Sequence, residues 1–168
     1  MCPITNPQLV KGINTLVESL KNGYNYLLCF TNKGRVFKIK SYQVPEASRQ
    51  SKGVSLAHFL HFDEDEELTS VIDVETFSSE EFLFMTTQKG VVKKTALSAY
   101  GKPRKGGIYA IEIRDNDQLI EARVTNGEHD ILLGTREGKS IRFSETNVRP
   151  SGRKTMGVRG IRLSSEDD

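Results

Sequence analysis

Tryptophan is absent from the chain, and only two cysteines occur, Cys2 and Cys29, with no CxxC pair. This excludes a disulfide framework and a thiolate zinc site. Cys29 lies in an apolar run and reads as a small buried hydrophobe. Long hydrophobic runs are also lacking. The longest, YLLCF at 26–30, has five residues, against roughly 20 for a membrane-spanning helix. The start, MCPITNPQ, has no basic patch followed by an apolar stretch, so no signal peptide is expected. The chain therefore reads as soluble and cytoplasmic, with no membrane partner. Sustained helical periodicity is missing too. Its one candidate, LVKGINTLVESL at 9–20, reads as strand from its place in the repeat described below. What remains is 168 residues with 36% hydrophobic and 27% charged side chains, 14 Gly and 5 Pro. That composition excludes a disordered tail or a collagen-like fibre, and the length suits one domain or a stack of small units.

Acidic charge is scarce in three windows. Net charge is only +2, yet residues 33–53, 89–107 and 136–162 hold 20 of the 24 basic residues and 3 of the 22 acidic ones. Such segregation predicts a basic stripe and a separate acidic region.

The windows recur because the chain repeats. YLLCFTNKGRVFKIK at 26–40, FLFMTTQKGVVKKTA at 82–96 and DILLGTREGKSIRFS at 130–144 align without gaps. Each gives an apolar strand, a Thr, a polar pair, a Gly and a second strand. Gly34, Gly90 and Gly138 are the positions where a tight hairpin needs positive φ. The fourth residue after each Gly is basic: Lys38, Lys94 and Arg142. In the first and third copies it alternates with apolar residues, Phe37 and Ile39, then Ile141 and Phe143. Period-two alternation predicts that the base faces outward. A loop carrying bases follows each hairpin, at 44–53, 100–107 and 148–157, ends in Gly, and enters a third strand (VSLAHFL, IYAIEI, VRGIRL). Next come acidic turns at 63–67, 114–117 and 164–168, with a fourth strand, LTSVIDV or QLIEARV, after the first two. Four short strands per roughly 50 residues is a propeller-blade period. The expected fold is all-β, one domain over 1–168: a lead-in or end of a preceding blade at 1–25, then repeats at 26–75, 76–125 and 126–168. Open sheet edges in three such blades invite pairing with another chain or with a second copy.

These residues resemble the C-terminal domain of the DNA gyrase A subunit, most specifically through VPEASRQSKG, GVVKKTALSAY, NVRPSGRKTMGVRGIRL and the TNKGRVFKIK hairpin. The resemblance implies a propeller-like β-pinwheel, about three four-stranded blades of an expected six, whose blades exchange strands and whose basic perimeter binds, bends and wraps duplex DNA. It implies a bacterial, nucleoid-associated protein that supports negative supercoiling by a type IIA topoisomerase, with the remainder of gyrase A and gyrase B as partners. ATP and Mg would serve the full enzyme, and this chain would need no cofactor. The family's first-blade signature, Gln-Arg-Arg-Gly-Gly-Lys-Gly, and its nucleophilic tyrosine are not seen. PRKGG at 103–107 is an echo of the signature. The topoisomerase IV C subunit carries a related domain and is the alternative, as is a propeller-type protein-interaction module.

A repeated blade offers bases at regular intervals, matching the phosphates of a wrapped duplex, and neutralising them releases counterions without reading sequence. Lys38, Lys94 and Arg142 are the expected contacts, one per blade. Around them stand Arg35, Lys40, Lys93 and Lys139 on the hairpins and Arg49, Lys52, Lys102, Arg104, Lys105, Arg149, Arg153 and Lys154 in the loops. Catalysis by the chain itself is not expected. His58, His61 and His129 lack metal spacing, and no GxxxxGK[ST], GxSxG or HExxH occurs.

Overall fold

One turn chemistry is used three times. In the computed structural model, which describes residues 25–45, 50, 52 and 59–164, three antiparallel hairpins form: β1 (Tyr26–Thr31) with β2 (Arg35–Lys40), β4 (Phe82–Thr87) with β5 (Val91–Ala96), and β8 (Asp130–Gly134) with β9 (Ser140–Ser144). Gly34, Gly90 and Gly138 sit at φ 74, 73 and 83°, and their amides donate to the carbonyls of Thr31, Thr87 and Thr135. The same threonines accept a second bond through Oγ1, from the amides of Arg35, Val91 and Lys139 at 3.2–3.3 Å. The Thr and Gly shared by the three copies are thus both needed to close the turn.

The remaining strands are β3 (Leu68–Val74), β6 (Ile108–Tyr109), β7 (Leu119–Thr125) and β10 (Val158–Arg159). They build two four-stranded sheets, in the orders β3-β1-β2-β6 and β10-β5-β4-β7, beside the two-stranded β8-β9. Each four-stranded sheet combines a hairpin and its own fourth strand with a strand lent by the following unit. β6 pairs with β2, and β10 pairs with β5. Sequence units and sheets therefore do not coincide. The lent strands are short because the chain turns onto the hairpin: the Gly34 carbonyl accepts from Ala110 and Ile111, and the Gly90 carbonyl accepts from Gly160 and Ile161. Among the described residues β8 and β9 pair with no other strand. The lead-in strand at 9–20 and most of the first unit's third strand lie outside the described residues.

Successive blades stack through apolar layers. Leu28, Phe30 and Val36 of the first meet Leu83, Met85, Tyr100, Ala110 and Ile111. Phe84, Val92 and Val148 meet Ile131, Leu133 and Phe143 of the third hairpin. The opposite face of the first sheet buries Leu27, Cys29, Phe37, Ile39 and Leu60. Both faces of the first two hairpins are thus covered, which the two-period reading did not provide for. β3 packs against β7, and the Asn32 carbonyl accepts from the Leu119 amide at 2.9 Å. The edges carrying β3 and β7 converge, leaving β6 and β10 on the outer edges.

Candidate nucleic-acid interface

The expected one-per-blade bases do not form an outward row. Lys94 is 4% exposed. Its Nζ sits 4.5 Å from the centre of the Phe82 ring, donates to the Gly127 and Glu145 carbonyls at 3.3 and 3.4 Å, and pairs with Glu145 Oε2 at 3.5 Å. Lys38 is half-buried in the equivalent place, over the rings of Tyr26 (4.6 Å) and Phe77 (5.1 Å), donating to the Gly101 carbonyl. Burial and the neighbouring Lys40 lower its pKa below the ordinary lysine value. The aromatic residue two positions before the cross-strand partner makes this seat. In the third copy that residue is Asp130, so Arg142 instead stays exposed and pairs with Asp130 Oδ2 at 2.9 Å. The outward expectation is thus corrected for Lys38 and Lys94 and met by Arg142, because the faces of the first two hairpins are covered by neighbouring segments.

Glu145, unnoticed in the sequence, anchors this region. Its side chain is fully buried, accepting from Thr125 Oγ1 and the His129 amide, both at 2.7 Å. Burial pushes its carboxyl upward. The bonds from His129 and Thr125 and the charge of Lys94 outweigh that and leave its pKa below the ordinary value.

Lys93 is buried as well, 1% exposed, where the other copies have Phe37 and Ile141. Its ammonium donates to the Ala110 carbonyl at 2.8 Å and to the Arg153 carbonyl. Arg35 makes ion pairs with Asp63 (2.6 Å) and Glu66 (2.8 Å) and donates to the Gly106 carbonyl. Neither Lys93 nor Arg35 presents a free cation, so neither is placed to meet a phosphate. Lys139 is exposed and pairs with Glu137 at 2.9 Å.

The loops differ. Lys102, Arg104, Lys105, Arg149 and Lys154 are exposed and have no carboxylate partner among the described residues, and Lys52 is exposed likewise. Lys40 is exposed beside the Tyr42 ring, at 5.4 Å. Arg153 is half-buried, and Arg49 lies outside the described residues. The two well-described loops, 101–107 and 149–157, lead directly into β6 and β10 and so sit at the outer edges of successive sheets. Their backbones are pinned. Gly107 donates to the Arg104 carbonyl (2.9 Å), Ser151 to the Lys94 carbonyl (2.9 Å) and Glu112 to the Thr155 carbonyl (3.1 Å). Gly107 (φ 77°) lets the chain lie on Phe37, where an added Cβ would stand 2.8 Å from the ring. Pinned loops with unpaired cations at repeating positions fit a regularly spaced polyanion.

The family described as DNA gyrase C-terminal domain, beta-propeller, matches residues 25–75, 81–126 and 129–168. The chain belongs to this family. Relatives include the DNA gyrase A subunits of Clostridium acetobutylicum, 45% identical over 137 residues, and Staphylococcus aureus, 43% identical over 166, covering 82% and 95% of this chain. The chain spans only 16% and 19% of those two proteins. Among solved structures, the C-terminal domain of DNA topoisomerase IV superposes with a TM-score of 0.79 at 29% identity, covering 86% of this chain and 45% of that one. A DNA gyrase A C-terminal domain gives 0.70 at 21%, covering 87% and 46%, a likeness of fold. The family's propeller agrees with the all-β sheets and their strand exchange. No helix among the described residues is long and apolar enough to cross a membrane.

Proposed function

We propose that this chain binds duplex DNA without sequence preference along its outer edge and bends it, supplying the wrapping surface with which a bacterial gyrase introduces negative supercoils. The observation that carries the reading is the placement of Lys102, Arg104 and Lys105, then Arg149, Arg153 and Lys154, on equivalent loops of successive units of a gyrase-family propeller. Phosphate contacts at such intervals hold the duplex and select its curved form. Smooth bending of 20–30 bp costs on the order of 1–6 kcal/mol, which contacts made only on the bent form offset. The gyrase reading is preferred to topoisomerase IV because the curated relatives at 43–45% identity are gyrase A subunits, against 29% for the topoisomerase IV domain.

In this reading the chain performs no chemistry. Strand cleavage and the use of ATP and Mg belong to the rest of gyrase A and to gyrase B, its partners in the bacterial cytoplasm. A duplex of about 30 bp labelled at both ends tests the bending: energy transfer between the labels should rise on binding. Binding with unchanged transfer would reduce the role to attachment, and the wrapping reading would fall.

A further inference from the structure

The loop 149–157 carries three bases and leads into a lent strand of only two residues, so something must hold it in place. Its backbone is tied to the second sheet at the Ser151 amide, bonded to the Lys94 carbonyl, and at Gly157, which lies so close to Val92 that an added Cβ would stand 2.5 Å from its carbonyl oxygen. Between these ties, the Arg153 carbonyl is held by the buried Lys93 ammonium. The same ammonium grips the Ala110 carbonyl, at the end of the strand that the second unit lends to the first sheet. One cation thus joins the segment crossing to the first sheet to the basic loop of the third unit. Arg35 does likewise one unit earlier, donating to Gly106 of the loop 101–107. Arg35 has two carboxylate partners, whereas Lys93 bonds two carbonyls and has no ion-pair partner among the described residues.

We propose that Lys93 is a positioning residue for DNA binding: its ammonium, anchored on Ala110, fixes the loop 149–157 so that Arg149, Arg153 and Lys154 face the duplex together. The inference rests on the DNA-binding reading above. An apolar side chain at this position, like Phe37 or Ile141 in the sister units, fills the space and leaves the loop without its charge-assisted bond.

Three titratable groups bear on Lys93. Burial and, less strongly, the Arg153 guanidinium lower its pKa, the Glu112 carboxylate opposes them, and the net value is about 8. The Tyr100 hydroxyl shares the Ala110 carbonyl at 3.3 Å, and burial raises its own pKa to about 12, so it stays neutral throughout. Folding holds the Lys93 proton less tightly than the unfolded chain does. Fold stability therefore gains as pH rises from about 8 towards 10.5, while the charged clamp is lost over the same climb. Stability and DNA affinity should move in opposite directions, which a merely structural lysine would not produce.

Salt titrations of a duplex with the wild-type chain, Lys93→Met and Lys93→Arg at pH 7 and pH 9 test this. Lys93→Met should melt no lower than wild type, since removing a buried unpaired charge relieves desolvation. It should bind roughly three- to tenfold more weakly at pH 7, its salt slope smaller by about 0.9–1.8, the loss of one or two phosphates. Wild-type affinity should fall between pH 7 and 9, and that of Lys93→Arg should not. Equal affinity and slope for wild type and Lys93→Met overturn the inference while leaving DNA binding intact. If Lys93→Met does not fold, equal pH dependence of wild type and Lys93→Arg overturns it instead. If wild type itself fails to bind at low salt, the functional reading fails and this inference falls with it.

Discussion

Lys94 shows what a repeated base is for when both faces of a hairpin are covered. Held over the Phe82 ring and paired with the buried Glu145, it neutralises a carboxylate that has no water to solvate it. Lys94→Ala would strand that charge, a change that costs about 3–5 kcal/mol when a buried pair is broken. Urea melts should show such a loss, while the folded fraction keeps the wild-type salt slope on DNA. Glu145 gives a second prediction. Its depressed pKa contributes stability at pH above the ordinary carboxylate value of 4.5, lost as the pH falls through the lower folded value. Wild-type stability should drop as the pH falls below 4.5 towards the lower folded value, and Glu145→Gln should remove part of the drop. The repetition of the base was legible in the sequence, but its burial was not. Alternation marks two faces without saying that neighbouring segments cover both, and the deciding residues, Tyr26, Phe82 and Asp130, stand on the other strand.

At the scale of the element, the hairpins were legible because a Thr and a positive-φ Gly mark each turn, and LTSVIDV coincides with β3. The third strands were read as longer than they are, because IYAIEI and VRGIRL fold their amides onto the Gly34 and Gly90 carbonyls after two paired residues. Which sheet a lent strand joins is a matter of tertiary pairing, and here only the family resemblance pointed to strand exchange. Glycine substitutions read this exchange directly. A Cβ at Gly90 would stand 2.7 Å from Ile161 Cγ2 and 3.0 Å from its carbonyl oxygen, whereas one at Gly138 meets nothing within 4 Å. Both carry the strain of positive φ, about 1–2 kcal/mol. Gly90→Ala should add an overpacking cost, destabilising by roughly 3 kcal/mol against about 1 kcal/mol for Gly138→Ala. Equal losses in denaturant melts would mean that the lent strand does not press on the turn.

Across the whole molecule, the blocky charge of the sequence resolves differently from a simple split into basic and acidic regions. The acidic turn at 63–67 folds onto the first hairpin tip, where Asp63 and Glu66 pair with Arg35 and the Glu64 carbonyl accepts from Lys33. In the second unit Asp117 accepts from the Lys89 amide. The first hairpin tip is therefore balanced, while the loops 101–107 and 149–157 hold exposed bases with no carboxylate partner among the described residues, a field suited to steering and holding a polyanion. The loop bases were legible from their Pro- and Gly-marked segments, whereas the loss of the hairpin bases to internal bonds depends on packing. The most direct test is the salt dependence of duplex binding by the wild-type chain and by a variant with Lys102, Arg104 and Lys105 all changed to Gln. The account predicts a steep linear fall of log K with log salt for wild type, and a slope smaller by about 0.9 for each loop base that meets a phosphate. An unchanged slope in the variant, or wild-type binding indifferent to salt, would contradict it.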